Sequence, residues 1–419
     1  MISAEVRPGR AAALARVPAF WVVAALLLAG AVRMTLITAR FATAYPIATV
    51  TAVLLFALLA VPFWWVVREL DFLEREPIEL LVLAFAWGAL VATSVSIPAG
   101  TAGENLIAKL GSPQLAAGWG AALAGPAVEE IAKTLGVVVI VLIARPQINS
   151  VLDGVVYGAM VGLGFQIAED IVFAVGAVAL AGQGDQIQPV IATFLLRGFV
   201  SGVWSHTLFG ALAGAGIGYL VVRRDRRPAR RIGVAVLAWL GAWASHALWN
   251  SPLLIDGLGN GALALLAVLV LKGLPPLLLI LWLVRRAHDR EAEYYVGHLA
   301  TLRDPELITE SEMRVLGSGS ARASARRLAG ESAGRAGRHA VRRLQRAQAR
   351  LAVELSRASS SERHTTCEHI RVQRRVLRGL GHPEAIAGPR SWRHTASTIV
   401  TTVVAIAVLW VALSALGGA

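Results

Sequence analysis

The stretch "GPAVEEIAKTLGVVVIVLIARP", Gly125–Pro146, has the length and apolarity of a membrane helix, yet Glu129, Glu130 and Lys133 sit well inside it. A charge at the bilayer centre costs roughly 2.5–3.5 kcal/mol on insertion scales, so such groups must be partnered or put to use. The rest of the chain decides that this stretch is a span. Its 419 residues are 56% hydrophobic and only 16% charged, with a mean hydropathy of +0.61. Long apolar runs at this density exclude a soluble globular enzyme and predict an all-α, polytopic membrane helix bundle.

A span takes roughly 20 apolar residues. Nine stretches qualify, at about 18–38, 46–67, 78–99, 122–144, 153–182, 189–222, 232–251, 259–284 and 397–416. Eight make a core and the ninth stands apart near the C-terminus. Arg7, Arg10 and Arg16 before the first run, and "ATA" at Ala42–Ala44 after it, resemble a signal peptide. The run is longer than an h-region of about 7–15 residues, so it reads as a retained helix.

Loop charge sets the expected orientation. "VVRRDRRPARRIG" (Val221–Gly233) and "VRRAHDR" (Val284–Arg290) are rich in Arg, whereas "AGQGDQIQ" and "SPLLIDGLGN" hold no Lys or Arg. The positive-inside rule then places the N-terminus in the cytoplasm and the C-terminal tip outside, with Arg40 and Lys109 as exceptions. The expected domains are a cytoplasmic N-terminus (1–17), an eight-span core (18–284), a basic cytoplasmic helical segment (285–393) and a ninth span with the C-terminal tip (394–419). Lysine occurs only at Lys109, Lys133 and Lys272; the preference for Arg suggests a GC-rich bacterial genome and hence a bacterial plasma membrane.

The basic segment is soluble in composition. "HDREAEYYVGHLATL" reads as helix, and "RHAVRRLQRAQARLAVELSR" (Arg338–Arg357) puts Val341, Leu344, Leu351 and Leu355 near one face of a solvated helix that packs on its neighbours or on headgroups. "GSGSARASARR" (Gly317–Arg327) reads as a flexible linker. The charge suits an anionic lipid surface rather than nucleic acid. Lone Cys367 excludes a disulfide framework, and His364, Cys367 and His369 lack the spacing of a metal site.

Polar groups within the spans form a short set: Glu129, Glu130 and Lys133 on the fourth, Glu169 and Asp170 on the fifth, Arg197 and His206 on the sixth, His246 and Asn250 on the seventh. Counted from the cytoplasmic ends of their helices at about 1.5 Å per residue, Glu129, Glu169, His206 and His246 all lie roughly 22–26 Å up. Four helices therefore bring carboxylate and imidazole to one level in the outer half of the bilayer. Glu129 and Lys133 are spaced i,i+4 and are expected to pair, as are His246 with Asn250 and Phe165 with Glu169. Gly154, Gly158 and Gly162, and likewise Gly210, Gly214 and Gly218, form small-residue faces that predict close helix packing below that level. Arg197 should lie about 13 Å outward of His206 on a straight helix, snorkelling to headgroups.

Converging carboxylates and imidazoles suit hydrolysis or proton-coupled transport; a non-catalytic scaffold is a third option. For hydrolysis, Glu169, His206 and His246 make a three-ligand zinc set of ordinary type, with Glu129 as the base.

In order along the chain, "EEIAK", "DGVVYGAMVGLGFQIAED", "SHTLFGALAG" and "SHALWN" resemble the motifs of the PrsW family of intramembrane proteases, related to CAAX-processing and bacteriocin-processing enzymes. The likeness covers about Gly120–Ser251. It implies cleavage of a membrane-anchored protein near the outer face, an anti-sigma factor being the substrate associated with PrsW itself. Matched position by position, Glu129 and Glu130 are the paired glutamates, Glu169 the carboxylate of the second motif, His206 and His246 the histidines, and Asn250 the closing Asn. The family leaves two mechanisms open, zinc-assisted or metal-free. In the metal-free one, Glu129 and Glu169 activate water while His246 and Asn250 form an oxyanion site.

Overall fold

The computed structural model describes residues 18–71, 73–201, 206–253, 268–356 and 363–388. Every regular element among them is a helix, and the chain divides into two compact units. The predicted polytopic helical bundle is thus the fold of the first unit.

That unit holds α1 (Pro18–Ala44), α2 (Pro46–Leu70), α3 (Ile78–Leu110), α4 (Pro113–Ala144) and α5 (Val151–Ala181). It continues with α6 (Gln188–Thr193), which runs into a π-helical segment Phe194–Ser201, then α7 (His206–Val222) and α8 (Pro228–Asn250). Five of the described helices, α1, α2, α3, α5 and α8, are long and apolar enough to cross a membrane. The chain is accordingly a multi-pass membrane protein. Over the expected span at 189–222 the described residues form α6 with its π-helical continuation to Ser201 and then α7 from His206; residues 202–205 lie outside the described residues. The predicted ninth span, and residues 259–267 of the eighth, lie outside the described residues.

Local chemistry explains the helix starts that matter. The Ser112 side chain accepts from the Leu115 N–H ahead of Pro113, which needs no partner at the first position of α4. Ser150 and Asp153 form a reciprocal capping box on α5. Helix α5 is buried on all sides through most of its length, as an all-round apolar helix must be. Its glycines make this possible. A Cβ on Gly154, Gly158 or Gly162 would stand under 3.0 Å from backbone atoms of α7, and one on Gly164 under 3.0 Å from the backbone of α3. The predicted small-residue seam between α5 and α7 is therefore present, and its upper end, Gly162, lies against the backbone of His206.

The second unit takes Glu69–Arg75 and Val284–Ala405. Its described elements are the later part of α9 (Leu274–Ala300), α10 (Glu310–Leu316), α11 (Gly319–Ser356) and α12 (Arg363–Gly379). One expectation is corrected here. "GSGSARASARR" is no linker: Arg322 is buried and donates to the Leu316 carbonyl, and Ala325 is a core residue. The arginine-rich helix packs on its neighbours, with Val341, Leu344 and Leu351 fully buried in that core and Leu355 partly buried against it. The reason lies in a fold within α11, whose helical path breaks at Ala333 and Gly334, the latter at φ 64°. Gly337 returns to lie against Ala329, and Gln345 exchanges hydrogen bonds with Arg326 and the Arg322 carbonyl. The two arms form an antiparallel helical hairpin.

A buried ion pair ties this unit together. Both Arg374 Nη atoms donate to the Glu312 carboxylate, at 3.1 and 2.7 Å, with side chains 2% and 1% exposed. Gln348 and the Ala385 N–H also donate to Glu312. Removing one partner of such a pair strands a buried charge, so Glu312→Ala is expected to cost this unit about 3–5 kcal/mol. Thermal unfolding of the detergent-solubilised protein measures this; an unshifted transition would show that the pair holds nothing.

Candidate active site

Helices α4, α5, α7 and α8, with the π-helical segment Phe194–Ser201, bring the sequence-selected polar residues into one cluster. Lys133 Nζ lies 2.6 Å from Glu130 Oε1 and 3.0 Å from His206 Nδ1. His206 Nε2 is 2.9 Å from Glu169 Oε2, which also accepts from Arg197 Nη2. On the other side, His246 Nδ1 is 2.8 Å from the same Glu130 Oε1, and His246 Nε2 is 3.2 Å from Asn250 Nδ2. Asp170, Arg197, Glu169, His206, Lys133, Glu130, His246 and Asn250 thus form one continuous polar chain.

The donors fix the tautomers along this chain. An ammonium only donates, so His206 Nδ1 is an acceptor and its proton sits on Nε2, directed at Glu169. Glu130 accepts from both neighbours, so His246 carries its proton on Nδ1 and offers the Nε2 lone pair to the Asn250 amide. Aromatic rings hold both imidazoles: Phe209 stacks on His246 at 5.1 Å, and Phe165 lies 4.8 Å from His206.

Two expected pairings change. Lys133 was expected to pair with Glu129, but its salt bridge is to Glu130, three residues away, because the His206 ring draws the ammonium to that side. Arg197 does not snorkel to headgroups; it bridges Glu169 and Asp170 and lies 4.2 Å over the Phe173 ring. The 13 Å expectation assumed a straight α-helix, whereas Arg197 lies in a π-helical segment and reaches the same Glu169 oxygen as His206. Sequence reasoning therefore missed Arg197 as part of the cluster. The available signal was the excess of carboxylates at this level, which one lysine does not balance.

Glu129 differs from its neighbours. Its side chain makes no hydrogen bond among the described residues; its buried Oε2 is without a partner, as are Glu130 Oε2 and Asp170 Oδ2, but those two residues are held through their other oxygen. That oxygen stands 3.7 Å from His246 Nε2 and 4.0 Å from His206 Nδ1. Glu129, His206 and His246 have donor atoms within 4.8 Å of one another, close enough to hold one metal ion. The expected ligand Glu169 is not in that trio; its Oε2 serves both Arg197 and His206. A cavity of about 240 Å³ opens beside the cluster, lined by Glu169, His206, His246 and Asn250 and walled by Phe173, Phe209 and Trp249.

Comparison with family models gives one match: residues 76–282 fit the PrsW family intramembrane metalloprotease. Over those residues the chain belongs to the PrsW family. No curated protein and no solved structure matches it. The PrsW match spans every residue of the polar chain, and it makes this membrane unit an intramembrane protease with a membrane-protein substrate.

Proposed function

We propose that this PrsW-family protein hydrolyses a membrane-anchored protein with water activated by Glu129. The supporting observation is the unpartnered Oε2 of Glu129, held beside the lone pair of His246 Nε2 at the edge of the chain. Glu129 takes the proton of the attacking water. His246, oriented by Glu130 through Nδ1, passes a proton on to the leaving amine, in the manner of an oriented histidine in hydrolytic triads. Asn250 Nδ2 contacts its present partners, the Ala121 carbonyl and His246, at 3.2 Å each. Bonds of that length are readily exchanged for a developing oxyanion.

The residues also fit a divalent metal, as an alternative to that proton path, because Glu129 and His246 Nε2 would then be ligands. Glu129, His206 and His246 are donors of the right type at the right spacing, and Glu129 Oε2 has no other partner. An ion held there, zinc being the proposed one, would supply Lewis-acid polarisation and a more acidic water. By the positive-inside rule, we place the N-terminus and the basic 285–393 segment in the cytoplasm of a bacterial cell.

The test is a cleavage assay on the full chain in lipid, against a panel of single-span substrates with and without chelator. Wild type should cleave at least one of them. Asn250→Ala should lower kcat by about 10²–10³ with little change in KM, as loss of an oxyanion donor does. Equal turnover by the two proteins would remove Asn250 from the reaction. Chelator sensitivity reversed by zinc would show that the ion takes part.

A further inference from the structure

The three-donor group contains a conflict. His206 has both ring nitrogens engaged, Nε2 with Glu169 and Nδ1 with the buried ammonium of Lys133. Its one lone pair, on Nδ1, already accepts a hydrogen bond. Glu129 Oε2 has no hydrogen bond to lose, and His246 Nε2 has only a 3.2 Å contact with an amide. The site therefore offers an ion two ready donors and one that is taken. Lys133 need not leave the cluster to release it, because its second partner, Glu130 Oε1, lies at 2.6 Å.

We propose that Lys133 and a divalent cation are alternative partners of the His206 Nδ1 lone pair, so that this lysine is a built-in antagonist of metal loading. With the ammonium on Nδ1, the polar chain is closed from Asp170 to Asn250 and charge-balanced around Glu130. When a cation takes Nδ1, the chain opens at that one link, and Lys133 is left on Glu130 alone. The same side chain thereby sets how readily the metal enters and what holds the histidine when it is absent. This deepens the metal part of the proposed function and rests on the donor group, so ion binding tests it separately from cleavage.

The experiment uses the full chain in nanodiscs, stripped with a chelator and titrated with zinc against a fluorescent zinc indicator. Bound metal is then counted after desalting. The variants are Lys133→Met and the double variant Glu130→Gln/Lys133→Met, in which no uncompensated charge stays buried if the single variant fails to fold. Removing a charged hydrogen bond to Nδ1 should tighten zinc binding about ten- to a hundredfold in whichever variant folds. The gain should vanish when Glu129→Gln is added. Unchanged or weaker zinc binding in the folded variants overturns the proposal, as does a gain that survives Glu129→Gln, which would place the ion elsewhere. Zinc binding by neither wild type nor variants overturns it as well, and leaves the protease reading to the cleavage assay.

Discussion

Glu129→Gln is expected to lower kcat by about 10²–10⁴, the range for losing a general base, while leaving the folded protein nearly as stable as wild type. The two halves of that expectation come from one observation. The Glu129 side chain makes no hydrogen bond among the described residues and its Oε2 is unpartnered, so an amide of the same shape removes chemistry without removing structure. Glu130 provides the contrast. It is fully buried, it pairs with Lys133 and it orients His246, so its replacement perturbs fold and activity together. Turnover numbers on a single-span substrate, set beside thermal unfolding of the same samples, read both effects. A fully active Glu129→Gln protein would end the assignment of this carboxylate as the base.

Gly158→Val carries the largest expected structural effect. A Cβ at this position would stand under 3.0 Å from the backbone of Gly210 and Gly214, so no side chain can turn aside to make room. Ordinary overpacking costs about 1–3 kcal/mol, and a branched side chain pressed on backbone at a helix seam should exceed that. The expected result is protein that does not survive solubilisation as a monodisperse species. Gly176→Ala, on the same helix with nothing within 4 Å of its Cβ position, should be silent. If Gly158→Val behaves like Gly176→Ala, the close contact of α5 with α7 does not exist in the membrane.

How much of this is legible in the chain depends on which physical quantity is asked for. Depth is legible, because helical rise is nearly invariant: counting from the cytoplasmic ends of the helices put Glu129, Glu169, His206 and His246 at one level, and they meet. Close approach is legible too, since glycines at every fourth residue leave only one reason for their absent side chains. Choice of partner is not. Lys133 can reach Glu129 or Glu130 by spacing alone, and a ring from another helix, His206, settles the choice. Arg197 was lost for a different reason, as a π-helical segment leaves no periodic mark in an apolar run. In the second unit, "GSGSARASARR" has the composition of a linker, yet its alanines are good helix formers and small enough to let two arms pack closely.

The bridge from Arg197 to Glu169 and Asp170 also bears on how the chain enters the bilayer. Helix α4 brings a counter-charge for Glu130 with it, three residues away. Helix α5 does not: Glu169 and Asp170 find their cation only in the segment that follows it. Released alone, α5 would face a penalty of roughly 5–7 kcal/mol for two bare carboxylates on insertion scales. Neutralising that pair of carboxylates favours insertion of α5 together with Phe194–Ser201, as a hairpin, over insertion of α5 alone.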